Sequence, residues 1–285
     1  MKRNLLALAL CLFLFSMAEA QSSQFRTGDA FKGPVRSARI ERAKIFQENG
    51  ENKEGPRVLV VAISYAPDWS WMENVGYRPD GSVNQKIVTT YNTNGDQTSI
   101  SKFTGDGKLS LKIVYVYKDG RQVEENRFDG DGTLQQKRVT VWADQGKGIN
   151  EIAYYDGQGA LIKREVNTRD AQKSVWTTYN AEGARMEEAV HYLNYGGPKK
   201  TEITRYNRDG TVAGTFVSQA DASVNQIEKS YYNQSGTPQR KTYEKREYDS
   251  RGNLSKLTEY AWDEQAGKYQ AVAVSYYTIN YSDTK

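Results

Sequence analysis

The chain has 285 residues, 26% of them charged, a net charge of +4 and a mean hydropathy of −0.78. Its 20 Tyr, 8 Phe and 5 Trp exclude a disordered polymer, which would be poor in aromatics. Acidic and basic residues are interspersed, so the sequence shows no footprint for nucleic acid or an anionic lipid surface.

The N-terminus reads as a secretory signal peptide over residues 1–20. Lys2 and Arg3 form a positive start, "LLALALCLFLF" an apolar run, and Ala18-Glu19-Ala20 a small-x-small cleavage site. The run is too short to span a bilayer. Cys11 follows bulky Leu10 inside that run, which argues against lipid attachment there. Removing the leader takes away the only cysteine and lowers the net charge to +3, since Lys2, Arg3 and Glu19 leave together. The expectation is an exported protein, periplasmic, cell-surface or secreted, with no membrane span after cleavage and no disulfide. Such a chain must be held by its own packing.

Residues 21–57 form a polar lead-in, in which "QENGENKEGPR" reads as a loop. Residues 58–285 read as one β-hairpin repeat domain. Val58–Tyr65, "VLVVAISY", is the most apolar strand candidate and the expected cap of a repeat array, whose terminal edge would otherwise stay open. "PDWSWMENVGY" follows. Trp69 and Trp71 would face the same way in extended chain, either plugging the end of the sheet or offering a platform on which a sugar could stack. They are the candidate ligand-binding residues.

From Tyr77 onward one phrase recurs: an aromatic, three residues, then glycine. It appears as "YRPDG", "YNTNG", "FTGDG", "FDGDG", "WADQG", "YDGQG", "YNAEG", "YNRDG", "YNQSG" and "YDSRG", with "YKDG" one residue shorter. Early turn glycines (81, 95, 107, 120, 132, 146, 159) recur every 12 to 14 residues, and the later ones at 183, 210 and 236 at about twice that. Asn and Asp favour turns through side-chain-to-backbone hydrogen bonds, and Gly accepts the left-handed position of a hairpin loop. The eight or nine residues between turns suit one strand. In "LSLKIVYVY", Leu109, Leu111, Ile113, Tyr115 and Tyr117 alternate against Ser110, Lys112, Val114 and Val116. The expected fold is therefore all-β, an antiparallel meander of repeated β-hairpins forming a long twisted repeat sheet. Recurrent rings before the turns would stack across neighbouring strands as a ladder.

Tyr155-Asp156, Gly159 and Leu161, and again Tyr248-Asp249, Gly252 and Leu254, resemble the YD repeat of bacterial Rhs-type proteins and the related MORN-like repeats. Other units carry Asn180, Asn207 or Asn233 in place of Asp, and "FKGPVRSARIERAKIF" is similar to the lead-in of small exported YD-repeat proteins. The resemblance covers about Tyr77 to Tyr260. It implies a twisted β-repeat sheet with surface, carbohydrate-binding or scaffolding roles. No Rhs shell or toxin domain accompanies it, so toxin delivery does not carry over.

Catalytic chemistry finds little support. His191 is the single histidine, and no G-x-S-x-G elbow accompanies it. One His and no mature Cys disfavour zinc. "DGDG" at Asp129–Gly132 is half of a calcium loop, but Thr140 stands where the closing Glu should be. No phosphate or dinucleotide loop is present, and no metal or cofactor is expected. An outer-membrane barrel is set aside because "LQQKRVTVW" and "KTEITRY" carry charge on both faces. The leading expectation is a non-catalytic envelope or secreted module binding a glycan or a protein. The alternative is a polysaccharide hydrolase using two carboxylates.

Overall fold

The computed structural model describes residues 31–142, 149–193, 199–207 and 209–282. The leader read at residues 1–20 lies outside them. Among the described residues there are 19 strands and no helix. The chain begins with β1 (Val35–Glu48), β2 (Glu51–Glu54), β3 (Val58–Tyr65), β4 (Trp71–Tyr77) and β5 (Val83–Tyr91). Then come β6 (Gln97–Thr104), β7 (Leu109–Lys118), β8 (Arg121–Asp129), β9 (Leu134–Trp142) and β10 (Ile149–Asp156). β11 (Leu161–Arg169), β12 (Lys173–Asn180), β13 (Arg185–Tyr192), β14 (Lys199–Tyr206) and β15 (Val212–Ala220) follow. The last are β16 (Gln226–Asn233), β17 (Pro238–Tyr248), β18 (Leu254–Asp263) and β19 (Lys268–Tyr281).

The repeated phrase builds hairpin turns, as its chemistry requires. At Asn92 the Gly95 N–H donates to the Asn92 carbonyl (3.0 Å), while the Asn92 N–H donates to the Asp96 carbonyl (2.9 Å). The Asn92 side-chain oxygen accepts from the N–H groups of Asn94 and Asp96. Gly95 sits at φ 84°, where a Cβ would be strained. The register slips by one residue at the aromatic that precedes the turn, for example between Thr90 and Tyr91, so each unit also carries a bulge. Turns alternate between the two ends of the sheet. One end keeps the phrase at every hairpin from β4–β5 to β16–β17. At the other end the turn after Ala220 uses another solution, with Val224 at φ 59°. That alternation explains the doubled spacing. The turns after Trp142 and around Gly197 fall largely outside the described residues.

The meander does not remain an open sheet. Each strand from β3 to β19 pairs antiparallel with the next, and β1 lies between β19 and β3. Arg39, for example, has Thr278 on one side and Ala62 on the other. The result is a closed barrel of 18 strands, with β2 forming a small hairpin on the extended end of β1. The expected long twisted repeat sheet is corrected accordingly. The contact that closes the ring joins residues 35–44 to residues 273–281, and nothing local in the sequence announces it. Val58–Tyr65 is consequently an interior member of the ring, because closure removes the edges that a cap would cover. "QENGENKE", expected as loop, is the β1–β2 hairpin turning at Asn49 (φ 53°) and Gly50 (φ 81°).

Register partners share a face, so the pairings sort side chains into two walls. One contains Ile63, Met72, Thr89, Ile113, Glu125, Thr140, Ile152 and Ile227, all buried. The other contains Val116, Val141, Ile162 and Met186, all exposed, Val141 by 49%, with buried Ala43, Val274 and Thr258 beside the seam. Side chains converge on the concave side of a cylinder, so the first set lines the lumen. The largest fully buried side chains are only Val35, Val274 and Thr89, and the buried apolar cluster is Ala38, Ile63 and Met72, with Phe31 packed on it. A filled core would bury many larger groups. Among the described residues the barrel wall is therefore a single layer. For 18 strands ~4.8 Å apart and tilted ~40°, a round barrel has a backbone diameter of about 36 Å.

Both walls are charged. Outside, Glu73 pairs with Lys86 and Glu124 with Lys137; inside, Glu125 pairs with Arg138 and Glu187 with Arg205. A lipid-facing wall would bear a cost of about 2–4 kcal/mol for each Lys or Arg at mid-membrane. The topology of a barrel is present, and both its walls carry ion pairs between neighbouring strands.

Candidate binding site on the barrel wall

On the outer wall, Gln219, Glu228, Tyr243 and Tyr260 are successive register partners across β15 to β18. Antiparallel pairing sets their side chains side by side. The Tyr243 ring lies 5.2 Å from Tyr260 and 5.7 Å from Tyr269, and Tyr269 meets Trp262 edge-on at 5.1 Å. Trp262 and Tyr269 are partners flanking the β18–β19 turn. Trp262 is 37% exposed, and the Lys241 ammonium lies 5.4 Å from its ring centre.

A shallow cleft borders these rings, lined by Gln219, Ala220, Asp221, Gln226, Glu228 and Tyr243. Asp221 accepts from the Gln226 N–H (3.1 Å) and the Ser223 hydroxyl (2.9 Å), and the backbone bond leads in holding its carboxyl below the usual range. Burial, reinforced by Glu228, pushes the Tyr269 phenol up to about 12, and burial also raises Tyr243. Both phenols are neutral donors at physiological pH. Exposed ring faces beside amide and carboxylate acceptors can stack on the C–H face of a sugar and bind its hydroxyls.

Trp69 and Trp71 lie elsewhere, at the β3–β4 turn. Trp69 takes φ 62°, so strand alternation does not run through it, and its ring packs on Tyr65 at 5.1 Å. It remains 45% exposed, and Trp71, opening β4 opposite Thr90, 38% exposed. Neither is buried as a plug would be. The sequence reading missed the β17–β19 rings because "YAWDEQAGKY" has one residue too many for the repeated phrase. The i, i+2 spacing of Tyr260 and Trp262, with Tyr269 across a turn, was the available signal.

The remaining candidates have structural partners. His191 meets the Thr201 hydroxyl through Nδ1 at 3.2 Å, and burial lowers its pKa. In "DGDG", Asp129 and Asp131 both accept from the Thr133 N–H, so the loop is a hairpin turn. No group of three metal-ligating side chains occurs among the described residues. The rings before the turns meet cations: Lys86 lies over Phe103, Arg164 over Tyr179 and Arg185 over Tyr206. The expected stacked ladder is replaced at those three by cation–ring contacts.

No family model matches the sequence, and no curated protein sequence matches it. Among solved structures, the chain is similar to a porin-like protein from Bacteroides uniformis, with TM-score 0.42, 11% identity, and 88% of this chain and 98% of that one covered. A porin-like protein from Bacteroides vulgatus gives TM-score 0.24 and 8% identity, with 89% and 100% covered. A protein of unknown function from Bacteroides fragilis gives 0.21 and 12%, with 62% and 95% covered. Likenesses at these scores do not reach to function.

Proposed function

We propose that this is an exported, non-catalytic protein of the bacterial envelope that binds glycans on the outer wall of its barrel. The observation that carries the reading is the Tyr243–Tyr260–Tyr269–Trp262 cluster beside a polar cleft. Export rests on the leader-like N-terminus, and the kinship with YD-repeat proteins, carried by the Tyr-Asp-x-x-Gly-x-Leu units, belongs to the same proposal. A hydrolase would need one carboxyl kept protonated near neutral pH. The carboxyls of Asp80, Asp209 and Glu202 are held below the usual range by hydrogen bonds from Ser82, Thr211 and Lys200, which keeps them ionised acceptors.

A glycan array on the purified protein is the first test, followed by calorimetry with the oligosaccharide it selects. Trp262→Ala with Tyr269→Ala should weaken binding at least about tenfold, since stacked rings contribute on the order of 1 kcal/mol each. Trp69→Ala with Trp71→Ala tests the second exposed aromatic pair in the same assay. Unchanged affinity in both double variants, or release of reducing sugar from the bound oligosaccharide, overturns the proposal.

A further inference from the structure

The lumen wall carries two ionic clusters of the same design on opposite sides of the ring. In the first, buried Glu125 on β8 is held by Arg127 two residues along its own strand (2.7 Å) and by Arg138 on β9 (3.1 Å). Nearby, Lys163 meets Glu165 at 2.8 Å, and the Tyr154 hydroxyl donates to Glu165 at 3.1 Å. In the second, Glu244 on β17 is held by Arg246 two residues along (3.1 Å) and by Lys229 on β16, while Arg42 on β1 pairs with Glu259 on β18. Tyr277 senses all four of Arg246, Glu259, Glu244 and Arg42. The first cluster is centred on β9 and the second near β18, about half the 18-strand ring apart.

Each cluster sets three cations against two carboxylates. Lys44 and Lys102 face the same lumen, by register with Ala273 and Ile87, and have no carboxylate partner among the described residues. The outer wall carries both signs as well, with Glu73–Lys86, Glu124–Lys137 and Lys200–Glu202 paired and Lys112 and Lys245 without a carboxylate partner among the described residues. The two clusters with Lys44 and Lys102 leave the lumen wall a surplus of positive charge. A concave wall of one sign focuses its field on the enclosed solvent.

We propose that the lumen binds an acidic polysaccharide, a carboxylate-bearing sugar chain held by the arginines and lysines of the two clusters. Charge complementarity selects an anionic chain, whose carboxylates would meet the third cation of each cluster together with Lys44 and Lys102. This site is separate from the aromatic patch outside, and each stands or falls alone.

The test is calorimetry of the purified protein with decagalacturonate, its methyl-esterified neutral counterpart, inorganic sulfate and a single-stranded ten-nucleotide oligomer. Decagalacturonate should bind, and its affinity should fall about tenfold between 50 and 300 mM NaCl as screening grows. Lys44→Gln with Lys102→Gln, which breaks no ion pair, should weaken it about threefold or more, and Lys44→Glu with Lys102→Glu further. Trp262→Ala should leave it unchanged. Absence of decagalacturonate binding, equal binding of the neutral ester, indifference to both lysine variants, or tighter binding of the oligonucleotide overturns the proposal. Sulfate binding alone would show a simple anion site and overturn it as well.

Discussion

A tyrosine in this wall is both surface and core, because the wall is one residue thick. Burial pushes Tyr65 up to about 12, and it raises Tyr115 and Tyr154 further. The sign is that of an acid whose neutral form is favoured by folding. The stabilisation is fully present below the unfolded value of 10 and is lost as pH rises toward 12. The melting temperature should therefore hold up to pH 10 and fall steeply between 10 and 12. Absorbance at 295 nm, recorded beside circular dichroism, checks this: the late-ionising tyrosines should titrate together with unfolding. All tyrosines ionising near pH 10 in a still-folded protein would refute it.

The hairpin is the unit that the sequence spells out. In "YDGQG", Asp156 accepts from the Gln158 N–H (2.9 Å) and the Ala160 N–H (2.8 Å), while Gly159 takes φ 88°. Asp156→Ala removes both side-chain bonds and should destabilise the barrel by about 1 kcal/mol, read from the urea midpoint. Hydrogen exchange should accelerate first in β10 and β11, the strands that this turn joins. Uniform acceleration around the ring would mean that hairpins are not separable units. Strand positions and turn types were legible because each depends on a few neighbouring residues. The three cation–ring contacts were not, since Arg164 meets Tyr179 only through the β11–β12 register.

At the scale of the molecule, closure is the decisive feature. In an open repeat sheet β1 and β19 would lie far apart, whereas here Arg39 and Thr278 are direct partners. Arg39→Cys with Thr278→Cys, in a Cys11→Ser background, should form a disulfide on mild oxidation, since opposed strand residues meet the required spacing. Non-reducing electrophoresis and mass spectrometry would detect it. Free thiols after oxidation would argue for an open sheet. The seam is reinforced at its end, where Asn253 donates to the Lys32 carbonyl (2.9 Å) and to the Tyr281 hydroxyl (2.7 Å), and that hydroxyl donates to Asp249 (2.6 Å).

By itself the sequence determined an all-β meander, its strand length and its turn chemistry, because these are set by alternation and by residues within one turn. Only the tertiary structure decided that the meander closes, that Tyr243, Tyr260, Trp262 and Tyr269 gather on one wall, and that Glu125 and Glu244 each sit between two cations. Those outcomes depend on which face of each strand turns inward. Closure fixes that for all 18 strands at once, through a contact between segments more than 220 residues apart.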